Sequence, residues 1–136
     1  MLLLVRIYQV KIAATLVAWC IPLLGAPASL LAMVGLPIEL MLPYRLIGWA
    51  YLVLCIGYAF GLQAARRGER TPGPLWVGVA SNGGGAFWLV LSGASGEWAG
   101  LHPMVAFHLW GSAIVAAAIA IGLLYCELRA PVAHTS

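Results

Sequence analysis

Apolar residues in this chain fall into four long runs, and charged residues stand at their borders. The runs cover about residues 7–24, 44–65, 75–92 and 103–128, each near the roughly 20 residues with which an apolar helix crosses the hydrocarbon core of a bilayer. Water does not reach the backbone there, so each peptide group needs a partner within its own segment, which predicts four helices. Between the first two runs, GAPASLLAMVGLPIELMLP is apolar but interrupted by Pro27, Gly35, Pro37 and Pro43. It is too broken to span, and it predicts a short interfacial or re-entrant helix over residues 29–34, with Ser29 as N-cap and Gly35 as stop. RRGERTPG makes a short basic turn after the second run, and GASGEWAGLH links the last two. The tail, residues 130–136, is expected to fray. The expected fold is all-α: a transmembrane four-helix bundle forming one domain over residues 1–136.

Composition points the same way. Hydrophobic residues make up 63% of the 136 and charged residues 8%, with a mean hydropathy of +0.99. A soluble domain carries about a quarter charged residues, so this chain cannot coat itself for water. The net charge of +3 does not form a stripe suited to phosphate, which argues against a nucleic-acid partner. Arg6, Lys11, Arg66, Arg67, Arg70 and Arg129 fall on one side of the four crossings, against Arg45, Glu39 and Glu97 on the other. By the positive-inside rule, both termini are expected in the cytoplasm and the interrupted segment outside, in a multi-pass protein of a cell inner membrane. The opening segment has features of a signal peptide, including Ala26-Pro27-Ala28, and VAWC resembles a lipoprotein box with Trp19 where a small residue belongs. It is read as a retained first span. Cys20, Cys55 and Cys126 lie in different spans without a CxxC motif and are expected as buried thiols.

SNGGGAFW, residues 81–88, places three glycines inside the third run. A phosphate loop would couple them to a lysine and a preceding strand, and neither is here. On a helix, Gly78, Ser81, Gly85 and Ser92 share a face, Gly57 and Gly61 form a GxxxG pair, and Ser112, Ala116 and Ala120 repeat the pattern. Small residues at this spacing let helix backbones approach closely in lipid. A kink at residues 83–85 is compatible with this. Asn82 beside them is expected to bond a neighbouring helix or to line a small polar cavity.

Few groups offer chemistry. Arg45 reads as an interfacial anchor paired with Glu39, or as a site for an anion or lipid headgroup. Lys11 reads as a snorkelling lysine. His108 follows His102 by six residues, a spacing that does not bring two ligands together on a helix. His134 lies in the tail, so a bis-histidine haem is disfavoured, and no metal site is expected. His108, Trp110 and Tyr51 are expected to share interhelical hydrogen bonds, with a quinone or lipid contact as the sharper reading. Trp49, Trp76, Trp98 and Tyr44 fall near the headgroup layer, while Tyr51, Tyr58, Trp88 and Trp110 lie deeper. The chain has no Asp, and its four Glu sit in loops and span ends. No nucleophile with its base is apparent, so no catalytic residue is expected.

The first span, an outer segment ending in VGLP, RLIGWAYLVLCIGYAFG and a glycine-rich third span together resemble the DoxX-like group of small four-helix bacterial membrane proteins. The likeness covers most of the chain in layout and residues 35–61 in detail. It implies a four-helix fold and an association with quinol-oxidising complexes or partner-bound membrane assemblies, and it supplies no catalytic motif. The leading expectation is a non-catalytic subunit or accessory protein of a larger bacterial membrane complex, contacting a membrane-protein partner or its own copies through small-residue faces. The alternative is a quinone- or lipid-binding redox-associated protein. A small transporter or channel is a third possibility, with Lys11, Thr15, Ser81, Asn82 and Ser112 as its few polar groups.

Overall fold

A computed structural model describes residues 1–129, so the expected frayed tail, with His134, lies outside the described residues. Four helices are long and apolar enough to cross a membrane, and the chain is a multi-pass membrane protein. The first span, Leu2–Gly25, comprises α1 (Leu2–Thr15), a π-helical turn (Leu16–Cys20) and α2 (Ile21–Gly25). A short helix α3 (Ala28–Met33) follows, then one 3-10 turn (Ile38–Leu40) that runs into α4 (Met41–Arg66). The last two spans are α5 (Pro72–Ala94) and α6 (Pro103–Leu128). No strand occurs among the described residues.

Local chemistry sets the boundaries. Proline opens α5 and α6, where its missing N–H has no helical partner to lose. The His102 ring nitrogen accepts from the Met104 N–H at 3.3 Å and caps α6. At the end of α4, Gly68 takes φ +80 while the N–H groups of Gly68 and Glu69 turn back to the carbonyls of Ala65 and Ala64. A side chain would strain that left-handed residue. The same closure ends α3 at Gly35 and α5 at Gly96. The π-helical turn lies just before Pro22, which cannot donate to the Ala18 carbonyl, and Ile21 N–H reaches Leu16 O instead.

The spans close into a ring. Contacts are most extensive between α5 and α6 and between the first span and α4, while α1 with α6 and α4 with α5 meet over shorter stretches. Two tight pairs therefore face each other across two looser seams. Small residues permit the close approaches. A methyl group at Gly78 would stand 2.5 Å from Leu123 Cδ1, and one at Gly48 2.9 Å from Leu23 Cβ.

One half of the ring is filled. Leu4, Tyr8, Tyr58, Leu75, Leu123 and Cys126 form a buried cluster at the end where α1 begins and α6 finishes. Outside, Leu2 and Phe107 are each 80% exposed. Such apolar side chains have lipid, not water, as their solvent. At the filled end, Arg70 donates to the Cys126 carbonyl at 3.0 Å and lies 3.9 Å from Glu127, tying the α4–α5 loop to the end of α6. Nearby, exposed Arg67 bonds Glu69 through both carboxylate oxygens and holds that carboxyl below its ordinary range.

Arg45 takes a different partner from the expected one. Its guanidinium donates to the carbonyls of Leu23, at 2.6 Å, and Ala26. These are carbonyls that the end of α2 leaves without helical donors. Neither ion pair among the described residues includes Glu39. The bare end of a neighbouring helix competes better for the fork than an exposed carboxylate does.

Candidate functional site

The other half of the ring is hollow. A cavity of about 450 Å³ lies between the two tight pairs and is lined by all four spans. Small-molecule sites occupy roughly 300–1,000 Å³ and combine apolar walls with a few converging polar groups. The walls here are mainly aliphatic and aromatic, and the polar groups are Lys11, Thr15, Tyr51, Asn82, His108 and the hydroxyls of Ser81 and Ser112.

Lys11 is the unexpected member. It was expected to reach the headgroups, yet it is only 8% exposed. The reason is its register: Leu4, Tyr8, Lys11 and Thr15 are the buried residues of α1, spaced along one helical face. Its ammonium stands 5.5 Å from the centre of the Tyr58 ring, whose negative face attracts a cation. Among the described residues the ion pairs are Arg67–Glu69 and Arg70–Glu127, so no carboxylate lies within 4 Å of Lys11.

Asn82 is fixed beside it. Its amide nitrogen donates to the Gly78 carbonyl at 2.7 Å and approaches Ser81 Oγ at 3.5 Å. Ser81 Oγ in turn lies 2.7 Å from the Tyr58 hydroxyl. This chain of contacts ties α4 to α5 on the border between the filled and hollow halves. Trp19 also lines the cavity, its ring 5.5 Å from Tyr51 and 5.4 Å from His108. It thereby joins three spans. The π-helical turn carries it there, and such turns recur at functional sites.

The residues singled out from sequence therefore divide. Tyr51, Asn82 and His108 meet in the cavity, but His108 faces the Trp19 ring rather than hydrogen-bonding Tyr51. Trp110 packs on Trp98 at 5.1 Å, over Gly93, away from the cavity. Arg45 is occupied with α2. Among the small residues, Gly61 meets Tyr8 and Pro74, and Gly78 meets Leu123. Ala120 approaches Gly83. Gly85, Ser112 and Ala116 line the cavity, making room in it. Gly57, the other half of the GxxxG pair, faces outward with no atom within 4 Å of where a methyl would stand. Lys11 and Thr15, grouped from sequence with Ser81, Asn82 and Ser112 only as the polar groups a transporter would need, line this one cavity with them, whereas Trp19 was missed. The spacing 4, 8, 11, 15 was the available signal for the first two.

Met104 and Phe107, in the first two turns of α6, line the cavity and are exposed, at 61% and 80%, so the cavity reaches the apolar outer surface of the bundle there.

Among the described residues, no group of three or more His, Cys, Asp or Glu is placed to hold a metal ion. No family model, curated protein or solved structure matches this chain.

Proposed function

We propose that this protein binds a lipophilic molecule, of quinone or lipid type, inside the membrane. The observation that carries the reading is the hollow half of the ring: about 450 Å³ with mainly apolar walls, a few polar groups among them and exposed apolar lining residues at Met104 and Phe107. A molecule dissolved in the bilayer can reach such a site without passing through water. The chain then acts as a binding protein of a bacterial inner membrane, with its termini in the cytoplasm. The basic loop Arg66–Arg70 beside the end of α6 supports that orientation. In the same orientation, α3 lies at the outer surface. The resemblance to the DoxX-like group, with its quinol-linked members, fits this reading.

Purification in mild detergent followed by solvent extraction and mass spectrometry tests it. One quinone or lipid per chain is expected, reduced when the cavity is filled by Gly111→Leu. Recovery of no such molecule, with equal results for both forms, would count against the proposal. A second reading, an accessory subunit of a larger membrane complex, draws on Gly57, an outward-facing glycine that none of the described residues covers.

A further inference from the structure

The cavity holds a lysine that no carboxylate among the described residues pairs with. Lys11 lies five residues beyond Arg6 at the membrane border, about 7.5 Å along the helix, and its side chain is buried in the bundle within the span. A charge buried there is costly and is ordinarily paired or functional. Among the described residues, the Tyr58 ring compensates it, with its centre 5.5 Å from the ammonium. The acids are elsewhere: Glu69 is bonded to Arg67 and Glu127 lies by Arg70 at the filled end, while Glu39 and Glu97 are exposed outside the cavity lining. The hydrogen-bonding groups around the same space, Thr15, Ser81, Asn82 and Ser112, are neutral.

Shape restricts the missing partner. Lys11 is buried inside the bundle, whereas a two-tailed phospholipid keeps its headgroup at the membrane surface. A head that reaches Lys11 is small and travels with its own apolar chain through the opening beside Met104 and Phe107. We infer that the cavity takes a single-chain amphiphile with a small anionic oxygen headgroup, a carboxylate or a phosphate monoester, and that Lys11 is its counter-ion. This rests on the cavity being a lipophilic-ligand site and specifies the charge of what enters it.

The test uses the full-length protein, purified in detergent, stripped of lipid and titrated by native mass spectrometry with palmitate, hexadecyl phosphate and methyl palmitate. One equivalent of at least one acid is expected to bind, at least tenfold more tightly than the ester, and the stronger acid identifies the headgroup. Lys11→Gln should weaken the acid by roughly tenfold to a hundredfold, the value of a charge-assisted hydrogen bond, and leave the ester unchanged. Equal binding of acid and ester to the unmodified protein would overturn the inference while leaving the cavity reading intact. Binding of none of the three, nor of a quinone, would remove the cavity reading itself. Should Lys11→Gln fail to fold, the comparison of acid with ester still decides.

Discussion

The two halves of the ring are built from the same helices and the same small residues, yet one is packed solid and the other is hollow. In the filled half, the inward-packed glycines oppose large side chains: Gly78 meets Leu123, Gly61 meets Tyr8 and Gly122 meets Ile7. In the hollow half, Gly85 and Gly111 have no atom within 4 Å of where a methyl would stand. The difference teaches that a small residue in a membrane helix has no fixed meaning. Opposite a large partner it brings two backbones together; opposite another small residue it leaves room for a guest.

Putting one substitution into both halves gives the largest expected contrast. Gly78→Leu forces a side chain into Leu123 in the filled half, and overpacking of this kind costs about 1–3 kcal/mol or more. The yield of monodisperse protein in detergent should collapse. Gly111→Leu enters open space and replaces a poor helix former, so the thermal midpoint should hold or rise while the bound molecule is lost. A Gly111→Leu protein that unfolds as Gly78→Leu does would erase the distinction between the halves.

Arg45 tests the rim of the hollow half. Arg45→Gln leaves the carbonyls at the end of α2 without their charged donor, at a cost of about 1.5–3 kcal/mol, read as a lower unfolding midpoint in detergent. Glu39→Gln should leave the midpoint unchanged, since Glu39 is not the partner.

The two buried tyrosines of the filled half sharpen the border. The Tyr58 hydroxyl bonds Ser81, and Tyr58→Phe should cost about 0.6 kcal/mol, an average value for such bonds within membranes. The Tyr8 hydroxyl is buried with no hydrogen-bond partner among the described residues. Tyr8→Phe removes an unsatisfied group and should be neutral or stabilising by the same measurement. The smallest effect is expected at the filled end's rim. Arg67 lowers the carboxyl pKa of Glu69, so this pair contributes at neutral pH and the contribution fades as pH falls through the carboxylate range. Both groups are exposed, and Glu69→Gln should not shift the midpoint measurably.

The spans were plain in the sequence because hydrocarbon solvent imposes one rule on every residue of a run. Residues 44–65 and 103–128 anticipate α4 and α6 closely, while the first span begins earlier, at Leu2, because an arginine at a membrane border need not end a helix. The site was legible only in part. Tyr51, Asn82 and His108 stood out as polar or amphipathic groups within apolar runs, whatever their facing. Lys11 was assigned to the headgroups by its nearness to the first run's border, although its spacing from Leu4, Tyr8 and Thr15 directs it inward. Trp19 depended on an extra residue in a helical turn, and Arg45 on the bare carbonyls of a helix end 19 residues or more away. Such contacts arise from three-dimensional neighbours that no local pattern specifies.

Each tight pair joins spans adjacent in the sequence: the first with the second, and the third with the fourth. Each can consolidate as a hairpin soon after its own synthesis and insertion. The cavity comes into being only when the two finished hairpins meet. Damage confined to the meeting surfaces would leave both hairpins folded and in the membrane, while the place for a guest never forms.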